Sequence, residues 1–243
     1  MQSHYYQTKT GTLHYIRKNG RGPLIVAIHG VGANHTVWNK VLEDLENSYL
    51  LIDLHGHGQS SAEWMDVDTA VADIALLLKR ESIKNFVLVG NSLGASIAIR
   101  LSHVVKPQKL ILISPYLREL LRYTCFQLLW LHVWRWIPAR LPRRHIDYST
   151  HIGRRELVYP FLDLHRISTA VWSKAALSAM RVGLDEISQN IPLCVIIGKQ
   201  DRFTRQDVLD TALPWARKHE IQCNHVLICS KPHEIGEIIK REI

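Results

Sequence analysis

The chain has 243 residues, 47% of them hydrophobic and 21% charged, the balance of a soluble globular protein with one large core. No stretch reaches 18 apolar residues without a charge, and Met1 to Asn19 lacks a basic start followed by an apolar run. An ordinary transmembrane helix and a secretory signal are therefore not expected, and the cytoplasm is the expected compartment. The net charge of +8 raises nucleic acid or an anionic membrane as partners, so where that charge sits matters more than its size.

In chain order, Tyr5 to Thr8 and Leu13 to Arg17 read as a first pair of strands, with Lys18 to Pro23 as a turn. From Leu24 onward short apolar runs alternate with segments of helical period, which predicts crossover units and a mostly parallel sheet. The expected strands are Leu24 to Ile28, Tyr49 to Asp53, Phe86 to Val89, Leu110 to Ile113, Leu193 to Ile197 and His225 to Ile228. The expected helices are Thr36 to Glu46, Asp68 to Lys79, Ser92 to Val104, Arg205 to His219 and Glu234 to Arg241.

The alternation breaks after Pro115, where arginine and tryptophan are dense. This predicts a core from residues 1–115, a helical cap insertion over 116–169, and a second part of the core over 170–243. Between Tyr116 and Arg166 nine arginines face only Glu119, Asp147, Glu156 and Asp163, so the basic character belongs mainly to the insertion. Cys125, Cys194, Cys223 and Cys229 are scattered, and most lie in or beside apolar runs, which suits reduced thiols better than a disulfide framework or a zinc site.

"VLVGNSLGAS" puts Ser92 between Gly90 and Gly94 where a strand ends and a helix begins. A corner that tight needs small residues two positions either side. It would place Ser92 beyond the carboxyl end of a central strand, where open α/β sheets gather ligands, and at a helix N-terminus, whose free donors favour developing negative charge. A glycine-flanked serine also serves as a plain helix cap, so other residues must decide.

A serine hydroxyl needs a base to take its proton and a third group to orient that base. Asp201, in "IIGKQDRFT", and His233, in "LICSKPHEIGE", each follow an expected strand. The order Ser92, Asp201, His233 is the one expected for a nucleophile elbow. Singly, Asp201 reads as a loop carboxylate or helix cap near Thr204, and His233 is one of 14 histidines; together, at three strand ends, they point to one site. Attack on a carbonyl also creates an oxyanion that needs preorganised donors. In "AIHGVGANHTVW", His29 and Gly30 allow a tight turn that would aim the Val31 N–H at the point served by the Leu93 N–H. As a glycine-rich loop it lacks the G-K-[ST] ending of a phosphate-binding P-loop.

With these residues in view, the chain resembles the α/β-hydrolase superfamily, in its esterase-like branch with a helical cap after the sixth strand. "HGVGANHTVW", "DLHGHGQSS", "VGNSLGAS", "GKQDRFT" and "KPHE" occur in family order over nearly the whole chain. The resemblance implies Ser92 as nucleophile, His233 as base then acid, Asp201 as its orienting carboxylate, and the Val31 and Leu93 amides as oxyanion hole. It implies an ester-cleaving serine hydrolase working through an acyl-enzyme, with no metal and no organic cofactor. Thioesterase, lipase-like and carbon-carbon bond hydrolase activities on the same fold are the alternatives, as is a slow-turnover ligand receptor or scaffold.

The chain departs from the family at His55, where arginine or proline is usual, and at Glu234, since many carbon-carbon bond hydrolases carry tryptophan soon after the histidine. His55 and His57 with Asp53 look like a metal cluster, but Gly56 and Gly58 make a turn and the family uses this loop structurally. In the cap, Phe126, Trp130 and Trp134 fall at i, i+4 spacing and are expected to form an apolar acyl pocket. The same basic, aromatic segment would suit weak contact with a membrane surface. Arg140, Arg143 and Arg144 would suit an acidic substrate group. A small-molecule acyl substrate is the expected partner and nucleic acid is not, because no recognised nucleic-acid motif is present; the oligomeric state is left open.

Overall fold

A computed structural model describes residues 1–116, 118 and 167–243, and elements are numbered among these. The strands are β1 (Gln2–Gln7), β2 (Gly11–Lys18), β3 (Leu24–Ile28), β4 (Tyr49–Ile52), β5 (Ser61–Ala62), β6 (Phe86–Asn91), β7 (Lys109–Ile113), β8 (Leu193–Gly198) and β9 (Arg217–Ile221). The helices are α1 (Val67–Arg80), α2 (Leu93–Val105), α3 (Thr169–Ala179), α4 (Gln206–Ala212), α5 (Leu227–Ser230) and α6 (Pro232–Glu242). The expected cap, with Phe126, Trp130, Trp134 and Cys125, lies outside the described residues but for its edges. Cys194 and Cys223 are free thiols.

One nine-stranded sheet runs in the order β1-β2-β4-β3-β6-β7-β8-β9, with β5 added to β2. β4, β3, β6, β7, β8 and β9 pair parallel in that order, while β1, β4 and β5 each pair antiparallel with β2. This is the mostly parallel sheet with flanking helices that the sequence predicts. Leaving aside the two-residue β5, β7, the last strand before residue 117, is the sixth.

The central strands are buried on both faces because side-chain period 2 feeds two cores at once. Val26, Ile28, Leu88, Leu112 and Val195 face one core with α1, α2 and α3. Ile25, Ala27, Val87, Val89, Ile111 and Ile196 face the other, which α6 closes through Ile235, Ile238 and Ile239. Among the described residues no helix is long and apolar enough to cross a membrane.

Two regions differ from the sequence expectation. Thr36 to Glu46 forms only a 3-10 turn over His35–Trp38, capped by the Asn34 side chain on the Thr36 N–H. The second difference carries more weight. The helix expected over Arg205 to His219 ends at Ala212, just before Leu213 and Pro214, and proline disfavours helical conformation in the residue before it. The chain re-enters the sheet as β9, whose residues RKHEI are mostly exposed or half-buried. An edge strand needs an apolar residue only where it meets the core, so β9 carries no apolar run. The run His225 to Ile228, expected as a strand, is instead loop and the start of α5.

Candidate active site

Ser92 sits between β6 and α2 with φ 52° and ψ −113°, a left-handed backbone that costs a non-glycine residue about 1–3 kcal/mol. Its own N–H donates to the Ile113 carbonyl of β7 at 2.9 Å, and its carbonyl accepts the Ala95 N–H at 2.9 Å. The corner is held from both sides. A Cβ on Gly90 would fall on the Gly94 carbonyl, and one on Gly94 would fall on the Ile28 and His29 carbonyl oxygens. Both glycines stand where the serine reading requires them.

Across the strand ends, Ser92 Oγ lies 3.0 Å from Nε2 of His225, and His225 Nδ1 lies 2.9 Å from Asp201 Oδ2. The carboxylate can only accept, so Nδ1 carries the proton and Nε2 is left as an acceptor for the serine hydroxyl. Asp201 is positioned by its loop: Oδ1 accepts the N–H groups of Phe203 at 2.8 Å and Thr204 at 3.2 Å, leaving Oδ2 for the histidine. Burial by itself would raise its pKa. The imidazole of His225 and the Phe203 amide outweigh that and hold the carboxyl below its usual value, hence ionised.

His225 follows β9. Its loop is tied to that of Asp201 by Lys199 N–H to Ile221 O and Gln200 N–H to Cys223 O, both 2.9 Å, and the Asn224 side chain accepts the Val226 N–H at 3.0 Å. The Phe203 ring packs against His225 with centroids 4.6 Å apart.

The structure thus brings Ser92 and Asp201 together, and His233 does not join them. His233 is the second residue of α6, its side chain is 55% exposed, and Nδ1 faces Glu43 Oε1 at 3.3 Å. The base expected at His233 is corrected to His225. The difference follows from β9: a strand over His225 to Ile228 would make His233 the histidine beyond its end, and the strand lies instead at Arg217–Ile221. The available signal was the short polar stretch RKHEI after Pro214, read as an edge strand, which leaves "CNH" as the loop beyond it.

The loop after β3 lies against the serine. A Cβ on Gly30 would stand 3.2 Å from Ser92 Cβ and 3.0 Å from Asn91 Nδ2. His29 shapes the loop from below: the Leu54 N–H donates to His29 Nε2 at 3.0 Å, so Nδ1 holds the proton and donates to the Gly30 carbonyl at 2.7 Å. Burial pushes the His29 pKa down to about 4, so the ring is neutral at pH 7 and keeps that tautomer. Leu93 opens α2, where the first N–H groups of a helix have no intrahelical acceptor.

The suspected metal cluster dissolves into separate contacts. His55 Nε2 bonds Asp73 at 2.8 Å, His57 Nδ1 donates to the His55 carbonyl at 2.9 Å, and Asp53 instead meets His14 and His35.

A strained serine beyond a central parallel strand, hydrogen-bonded to a histidine and through it to a carboxylate, is the layout of an α/β hydrolase. Residues 25–235 match the model of the alpha/beta hydrolase family, and the chain belongs to that family. An uncharacterized protein of Mycobacterium tuberculosis is 36% identical over 116 residues, 45% of this chain and 34% of that protein. The pimeloyl-[acyl-carrier protein] methyl ester esterase of Vibrio vulnificus is 34% identical over 106 residues, 42% of this chain and 40% of that protein. These matches span well under half the length of either relative. A solved structure from work on carboxylesterases of Nitrososphaera gargensis superposes with TM-score 0.76 at 14% identity, covering 98% of this chain and 97% of that one, and so shares the fold.

Proposed function

We propose that this chain is a serine hydrolase that cleaves carboxylic esters of small to medium acyl groups through an acyl-enzyme. The observation that carries the reading is the continuous path Ser92 Oγ, His225, Asp201, with spans of 3.0 and 2.9 Å. Ser92 attacks the carbonyl carbon as Nε2 of His225 takes its proton. Asp201 holds the ring in the required tautomer and stabilises the imidazolium. The carbonyl oxygen becomes an anion beside the N-terminus of α2, where the Leu93 and Val31 amides serve as its donors. His225 returns the proton to the leaving alcohol, then activates a water that releases the acid and frees Ser92.

The methyl ester esterase named above supports a carboxylic ester as the bond. The proposed partner is a small acyl substrate.

A panel of p-nitrophenyl esters of increasing chain length, run beside thioesters and lactones, checks the bond type by kcat/KM. Labelling with a fluorophosphonate checks the nucleophile. Turnover should be highest on the esters, and the label should map to Ser92 by peptide mass. No turnover on any panel member, with no label on Ser92, refutes the reading.

A further inference from the structure

Behind the loop that follows β3, Asp53 is buried and is the focus of four donors. His14 Nδ1 reaches Oδ2 at 2.8 Å, His35 Nδ1 reaches both oxygens at 3.0 Å, the His35 N–H reaches Oδ1 at 2.6 Å and the Gln59 N–H reaches Oδ2 at 2.9 Å. The ligand atoms of His14, His35 and Asp53 all lie within 4.8 Å of one another. They come from three separate places: β2, the 3-10 turn after β3, and the residue just after β4.

We propose that His14, His35 and Asp53 form a binding site for a divalent transition-metal ion of the Zn²⁺ type. Zn²⁺ binds imidazole and carboxylate at about 2.0–2.2 Å, so two donors sharing one tetrahedral ion stand about 3.3 Å apart. The present nitrogen-to-oxygen spans of 2.8 and 3.0 Å are short of that by a few tenths of an ångström. Mixed imidazole and carboxylate donors suit Zn²⁺ better than Mg²⁺ or Ca²⁺, which prefer oxygen alone.

The protons balance within the site. The ion takes Nδ1 of each ring as its ligand atom, and a ring that is neutral then carries its one proton on Nε2. His14 Nε2 faces the Ser3 hydroxyl oxygen at 2.8 Å, an atom able to accept it, and the His35 side chain is 13% exposed, so its Nε2 proton can be solvated. The His35 and Gln59 amides hold the carboxylate oxygens in place as outer-shell partners do in metal sites.

Charge separates this cluster from another of the same kind. Cys194, His219 and Glu242 also converge, but Lys109 and Arg217 already neutralise Glu242, and their charge opposes a cation. Among the described residues no lysine or arginine pairs with Asp53; its side-chain partners are the two histidines themselves. Glu43, Asp44 and His233 form a third group, exposed on the surface. It supplies the control.

Equilibrium dialysis of the intact chain against Zn²⁺, with Co²⁺ substitution read by its visible d–d absorption, tests the site. One tight equivalent should bind, with the stronger absorption of low-coordinate Co²⁺. His35→Gln, at a partly exposed position, should weaken binding at least tenfold, while His233→Gln leaves it unchanged; circular dichroism reports whether each variant is folded. Added Zn²⁺ should raise the Tm of the wild type. Absence of stoichiometric Zn²⁺ and of a Co²⁺ spectrum in the wild type overturns the site without any variant. Equal loss in His233→Gln and His35→Gln overturns it too.

Discussion

At Ser92 the backbone stores strain that a turn would not need, and the strain aims Oγ at His225. Under the proposed mechanism, Ser92→Ala and His225→Ala should each lower kcat by about 10⁶-fold, since a nucleophile and its base act as a unit. His233→Ala should leave kcat within a factor of about two, because the His233 side chain is exposed and faces Glu43, away from Ser92. Steady-state kinetics on one good ester distinguishes the two histidines. Inactivation by His233→Ala with survival of His225→Ala would reverse the assignment.

Asp201→Asn tests the tautomer. The amide presents a donor where the carboxylate accepts, so the imidazole loses its preference for a proton on Nδ1, and kcat should fall by about 10⁴-fold. Fluorophosphonate labelling of Ser92 should slow in parallel, and unchanged labelling would separate Asp201 from the mechanism.

At the scale of elements, the serine is placed by the crossing of β6, α2 and β3. α2 passes so close to β3 that Gly94 has no room for a methyl group. Gly94→Ala should therefore cost about 1–3 kcal/mol in urea denaturation, as overpacking does, and reduce activity by tilting α2. A change under about 0.5 kcal/mol would mean that the crossing is looser than the backbone positions require.

The same scale explains what was legible in the sequence. The buried strands β3, β4, β6, β7 and β8 announce themselves as apolar runs because both faces must be covered. β9 pairs on one edge only, and its RKHEI carries a single buried residue, Ile221, so hydrophobic pattern has nothing to report. The expected base therefore falls at His233, eight positions beyond His225, while Ser92, Gly90 and Gly94 stand at the β6–α2 corner and Asp201 after β8 as the sequence predicts.

Across the whole molecule, several histidines are buried as neutral rings. Burial lowers His29 to about 4 and His57 to about 3, and it lowers His55 as well despite Asp73 beside it. In the unfolded chain each binds a proton near pH 6.5, so the unfolded state holds more protons as the pH falls. Stability is thus fully present above pH 6.5 and is lost as the pH falls through 6.5 toward the folded values. For His29 the full loss is about 3 kcal/mol. Carboxylates do not contribute until the pH nears their own unfolded range, so the interval from 7 to 5 reads the histidines alone among these groups. Urea midpoints measured across that interval should decline steadily, and a flat profile would show that the rings are hydrated in solution.

Local chemistry determines much of this protein from sequence alone. Glycine at positions 90 and 94 permits a tight corner, apolar runs of strand length demand a sheet covered on both faces, and proline ends a helix. These are constraints felt by a residue and its near neighbours. The partner of Ser92 is a different matter, since it depends on which strand end lies beside which across 133 residues of chain. The pairing of β8 with β9 decides it by backbone hydrogen bonds, which leave no mark on side-chain pattern. The folded sheet sets His225 beside Ser92 and His233 away from it, and it gathers His14, His35 and Asp53 around one buried charge.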